Sequence, residues 1–165
     1  RVRSSAASDV YKRQAFKALA LGAPYVKAVC MSRSFMIPAF LGCNIEGALH
    51  PERRERVHGA WSALPKTVLD IGDTPETIFA GYHALKERLG ADEMAHIPYG
   101  AIAMWTMCDR LGAGLQHHMA GARKFGVEHI DRTDICAANR ETAQETGIPF
   151  ITEQDDELAR RIVLG

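Results

Sequence analysis

Apolar residues cluster differently in the first third of this chain and in the rest. Residues 15–21 are rich in helix formers and stop at Gly22, a usual C-terminal punctuation. Pro24 then introduces Tyr25–Met31, a short apolar run with two valines that predicts a buried strand, although Lys27 in its middle needs a sheet edge or end to reach water. Ser32, Arg33 and Ser34 interrupt that run and open a helix over 35–41, with Pro38 early enough to cost little. Helix, loop, strand, loop, helix is α/β grammar.

Beyond Gly42 the pattern becomes helical. Residues 51–57 read as a charged turn or short helix, and 64–71 are ambiguous and extended in one reading. Thr74 as N-cap and Pro75 as first helical residue start a helix whose face carries Ile78, Tyr82, Leu85 and Leu89, ending at Gly90. A longer helix is predicted from Tyr99 to Phe125, with Ile102, Trp105, Leu111, Leu115 and Met119 as its apolar stripe. Its interior glycines and alanines, from Gly112 to Gly121, predict close packing against another backbone. Two short helices, over 137–146 and 155–163, complete the expectation of a mainly α-helical extension across 51–165.

Residues 1–14 stand outside this pattern. From Ser4 to Gln14 the sequence matches the in-frame translation of a transposon-type sequencing adapter, so they are set aside as non-native. The 20 basic and 20 acidic residues of the whole chain balance; without Arg1, Arg3, Lys12, Arg13 and Asp9 they stand at 16 against 19, a net charge of about −3 with His neutral. No general basic footprint for nucleic acid is left. No apolar run reaches the roughly 18 residues needed to span a bilayer. Cys30, Cys43, Cys108 and Cys136 are scattered without a CxxC, which fits reduced thiols in a cytoplasmic protein.

Few residues carry candidate chemistry. Ser32, Arg33 and Ser34 combine a helix opening, with its free N–H groups and positive dipole end, and a guanidinium suited to an oxyanion. A solvated arginine on an ordinary turn is the plainer reading of that spacing. His117 and His118 point roughly 100° apart on a helix and do not share one metal. Cys30 and Cys43 lack the close partners an iron–sulfur cluster requires. Arg53, Arg54 and Arg56 alternate with Glu52 and Glu55 as a solvated face, and Met104, Trp105, Met107 and Met119 read as core.

The phrases AFKALALGAPYVKAVCMSRSFMIPAFLGCNIEG, LPKTV, ETIFAGYHALKERLGA, IPYGAIAMW and GLQHHMAGARKF, in this order, resemble the C-terminal part of FMN-binding glutamate synthase family proteins across nearly all of residues 15–165. The resemblance implies a C-terminal fragment of a (β/α)8 TIM barrel: its last βα unit over 15–50, then the helical extension over 51–165. It also implies that Met31, Ser32, Arg33 and Ser34 hold the FMN phosphate, with Ser32 where such barrels usually carry glycine. The implied reaction is reductive amination of 2-oxoglutarate with ammonia or glutamine nitrogen, with hydride from reduced FMN and an unassigned electron donor. The catalytic groups fall on earlier strands, so the resemblance implies no catalytic residue in this chain and no activity for it alone. Only Cys43 stands where glutamate synthases carry the cysteines of a three-iron cluster, which argues against a cluster. Other FMN- or phosphate-binding barrels, such as 2-hydroxy-acid oxidases or IMP-dehydrogenase-like proteins, remain alternatives, as does a non-enzymatic helical interaction module.

Overall fold

The computed structural model describes residues 2–56 and 61–164; the side chains of residues 2–11, 32, 56, 157 and 158 lie outside the described part. Among the described residues the elements are helical: α1 (Val2–Gly22), α2 (Ser32–Leu49), a 3₁₀ turn (Pro51–Arg56), α3 (Lys66–Leu69), α4 (Pro75–Ile78), α5 (Tyr82–Leu89), α6 (Ala91–Met94), α7 (Tyr99–Gly121), 3₁₀ turns at Val127–His129 and Arg132–Asp134, α8 (Arg140–Thr146) and α9 (Asp156–Leu164).

This corrects the α/β expectation. The described residues contain no strand, no sheet and no part of a (β/α)8 barrel; one isolated parallel bridge, Ala137 to Phe150, is the whole of the extended pairing. The predicted strand Tyr25–Met31 is a turn followed by an irregular segment, and Tyr25 is 90% exposed. The physical reason is pairing. A strand's N–H and C=O groups need a neighbour, and no other extended run lies beside this one, so water satisfies the backbone instead. An apolar β-branched run is a necessary condition for a buried strand, not a sufficient one.

The chain divides into two compact units, residues 1–29 with 113–165, and residues 30–112. In the first, α1 runs continuously through residues 2–14, which were set aside above. Its Phe16, Leu19 and Ala20 bury against Met119 of α7 and Ile130 of the following loop. The chain leaves α7 through Arg123 at φ 57°, a left-handed conformation that costs a non-glycine residue about 1–2 kcal/mol. Asn139 caps α8, its side-chain oxygen accepting from Thr142 N–H at 2.8 Å, and Gly147 at φ 66° ends it.

In the second unit Ile45, Val68, Phe79, Leu85, Met94, Tyr99, Ile102 and Ala103 form one core. The helix expected over 74–90 is broken after Ile78. Phe79 turns extended into the core, and Gly81 lies against Trp105, where an added Cβ would sit 2.8 Å from the Thr106 hydroxyl. Helix α2 continues past Gly42 instead of stopping there. Gly42 is needed for contact: a Cβ on it would overlap the Tyr99 carbonyl and lie 2.7 Å from Gly100 Cα. Gly100 in turn faces the Ala39 carbonyl and Cys43 Sγ, each 2.9 Å from a built Cβ. The two glycines let α2 and the start of α7 cross at backbone contact.

Candidate functional site

The four residues singled out in the sequence stay together, at the opening of α2 rather than at the end of a strand. Met31 is the N-cap (φ −129°, ψ 39°), and its side chain makes no cap hydrogen bond. The Ser34 N–H donates to the Met31 carbonyl at 3.0 Å. Arg33 is exposed, and the first turn carries no acidic residue. The Ser32 side chain lies outside the described residues. An uncapped helix start with a cation beside it attracts anions, by about 0.3–1 kcal/mol for the dipole at an exposed site.

The other end of α2 treats a helix start in the opposite way. Arg33 and Glu46 are the only charged residues of α2, and Glu46 is buried. Its carboxylate accepts the Tyr99 N–H at 3.0 Å, capping α7 from a neighbouring helix, and lies 3.5 Å from Arg53 Nη1. Since an ionised Glu52 only accepts, His50 Nδ1–H donates to it at 3.2 Å, which leaves Nε2 to accept from the Tyr99 hydroxyl at 2.9 Å. Burial pushes the Tyr99 hydroxyl up to about 12, with Tyr82 and Glu46 adding to it; burial and then Glu46 push the Cys43 thiol up as well.

Acid, imidazole, hydroxyl is the order of a nucleophile relay, yet Tyr99 is 8% exposed and packs edge-on against Phe79 and His50, with ring centroids 5.7 and 5.6 Å away. A hydroxyl that holds its proton more tightly than usual, inside a core, is a clamp rather than a nucleophile. The sequence reading missed it. Two signals were present: a lone glutamate in an otherwise uncharged stretch from Ser34 to Leu49, and a long helix opening after Pro98 with no capping side chain of its own.

The arginine burst differs from the solvated face expected of it. Arg54 donates to the Gly47 carbonyl at 3.2 Å and the Ser62 carbonyl at 3.3 Å, and Arg53 reaches Glu46, so both tie the turn after α2 to its C-terminal end. Arg56's side chain lies outside the described residues. The His117 and His118 rings lie 6.2 Å apart, and His118 packs 5.8 Å from Phe16. Cys43 is half-buried, and the other three thiols are exposed. Among the described residues no helix is long and apolar enough to cross a membrane, and no group of three or more His, Cys, Asp or Glu could hold a metal ion.

Compared with protein-family models, with curated proteins and with solved structures, the chain finds no match in any of the three.

Proposed function

We propose that this chain contributes a phosphate-holding corner to an FMN-dependent, glutamate synthase-like oxidoreductase. The observation that carries the reading is the opening of α2: uncapped, free of acidic residues in its first turn, and bearing the exposed Arg33. The ordered phrases that resemble glutamate synthase proteins supply the identity of the anion.

The fit reaches the phosphate and stops there. The backbone at residues 32–34 and the Arg33 guanidinium suit a phosphate monoester, and neither of the two cavities lined by described residues includes Met31–Ser34. FMN bound there and reduced by an electron donor would supply hydride to the imine formed from 2-oxoglutarate and ammonia. The residues here bind and orient the phosphate, and none of them moves a proton or touches substrate.

Amide NMR titrations with FMN, inorganic phosphate and riboflavin test this. FMN and phosphate should shift the amides of residues 32–34, and riboflavin should not. Arg33→Ala should weaken the FMN effect about three- to tenfold, the range of an exposed charge-assisted contact. Unmoved amides, or equal binding by Arg33→Ala, would sink the assignment.

A second reading, a helical interaction module, is favoured by a separate observation. The apolar run 25–31 does not form the unpaired strand that would be out of place in such a module, and each unit has its own apolar core. Cooperative unfolding of flavin-free protein, together with a failed FMN titration, would select it.

A further inference from the structure

The first unit holds a cavity of about 770 Å³, within the range of small-molecule sites. Its position follows from how the loop after α7 is built. Ile130, 4% exposed, plugs into the core beside Leu19. Asp131 pins the loop by accepting from the Thr133 N–H at 2.8 Å and from the Thr133 hydroxyl, while Lys124 donates to its other oxygen at 3.0 Å. Residues 127–133 are thereby held over the end of α1 and the segment that follows it. Leu19, Val26, Val127 and Ile130 give the cavity one apolar wall, and the rest of its lining is mostly charged or polar.

The charges around it are mostly matched in place. Lys124 pairs with Asp131 and lies 3.7 Å from Asp134, and Arg132 donates to the Thr146 carbonyl. Glu128 lies 3.7 Å from His129, an ion pair only when the imidazole is protonated, and folds its carboxylate back over Gly126. Lys27 also lines the cavity, is exposed, and makes no ion pair among the described residues. A strand was expected to force this lysine to a sheet edge; without the strand it stands at the cavity wall.

We infer that this cavity binds a small monoanion with an apolar body, its carboxylate facing Lys27 and its hydrocarbon against Leu19, Val26 and Ile130. The site shares no residue with the opening of α2 and does not depend on the flavin reading. Selection by charge is modest, because an exposed ion pair alters affinity only about two- to fivefold; the apolar lining contributes most of the binding.

Three ligands of one shape test it on the whole chain: 4-phenylbutyrate, 4-phenylbutan-1-ol and 4-phenylbutylamine, each followed by amide NMR titration. The acid should shift Lys27 and residues 127–133 and bind about two- to fivefold tighter than the alcohol, with the amine weakest. Lys27→Gln should bring the acid down to the alcohol and leave the alcohol unchanged. Val26→Asn, polar but uncharged, should weaken all three. An amine that binds tightest overturns the inference, as does an acid–alcohol gap that survives Lys27→Gln. Shifts spread over the exposed Met36, Ile37 and Phe40 in place of the loop overturn it too.

Discussion

Removing the Glu46 carboxylate should destabilise the second unit more than any other single loss of charge. In Glu46→Ala the Tyr99 N–H, buried at the start of α7, loses its acceptor. An unsatisfied buried donor costs about 1–3 kcal/mol. The α7 dipole loses a carboxylate at its positive end, about 0.3–2 kcal/mol in a partly buried geometry. The Arg53 contact adds little, since Arg53 is 39% exposed and the separation is 3.5 Å; exposed pairs contribute about 0–1 kcal/mol. The sum is roughly 2–4 kcal/mol, because these terms overlap. Urea unfolding followed by tryptophan fluorescence reads it directly, Trp61 and Trp105 both packing against this core. Glu46→Gln keeps an acceptor and loses only charge, so it should cost about half as much, on the order of 1–2 kcal/mol. Arg53→Ala should cost about 1 kcal/mol or less. A Glu46→Ala variant within about 0.5 kcal/mol of wild type, the range of an ordinary surface substitution, would refute the capping argument. Equal losses for Ala and Gln would show that charge, not the Tyr99 hydrogen bond, is what matters.

The glycines give a prediction whose sign changes with position. Gly42→Ala and Gly100→Ala should each destabilise by about 1–3 kcal/mol through overpacking, although alanine is the better helix former. Gly112→Ala, with nothing within 4 Å of the added Cβ, should stabilise by about 0.5–1 kcal/mol, and thermal melts of the three variants separate the two effects. Tyr99 titrates near 12 in the folded protein against 10.0 unperturbed. Its raised value means that its contribution is complete below pH 10 and is lost as pH rises towards 12. Alkaline unfolding monitored by tyrosinate absorbance should therefore show a loss over that window that Tyr99→Phe removes; an unchanged profile in the variant would refute it.

Local signals were legible in the sequence and non-local ones were not. The stops at Gly90 and Gly147 and the helix starts at Pro75 and Tyr99 each depend on a few neighbouring residues, and each falls where the pattern placed it within a residue or two, while α2 opens at Ser32, three residues before the expected Phe35. The strand over 25–31 depended on partners elsewhere in the sheet, and the described residues provide none. Gly42 illustrates the same limit. As a local signal it is a helix stop; in the fold it is a contact point with Tyr99 and Gly100, more than fifty residues away in sequence, and the helix runs on through it. The break at Phe79 is a third case, since a regular apolar spacing gave no sign that Phe79 and Gly81 would be used separately against the core and Trp105.

The candidate site divides along the same line, and α2 carries both halves of it. Arg33 was singled out because a helix opening and a cation adjacent in sequence advertise an anion site without reference to anything else. Glu46 was missed because its chemistry is completed by a helix that starts 53 residues later. The physics at the two ends is identical: a helix start exposes N–H groups that attract negative charge. At α7 the chain supplies that charge itself, and the consequence is a fixed crossing of two backbones at Gly42 and Gly100. At α2 the N-cap Met31 makes no cap hydrogen bond and the first turn holds no acidic residue, while Arg33 adds a further positive charge. An anion from outside would complete at α2 the arrangement that Glu46 completes at α7. Adding a capping acid there, as in Met31→Asp, should therefore stabilise the protein by about 0.5–2 kcal/mol and at the same time suppress the phosphate titration. Stabilisation without loss of the phosphate response would separate the helix end from the anion site and refute their equivalence.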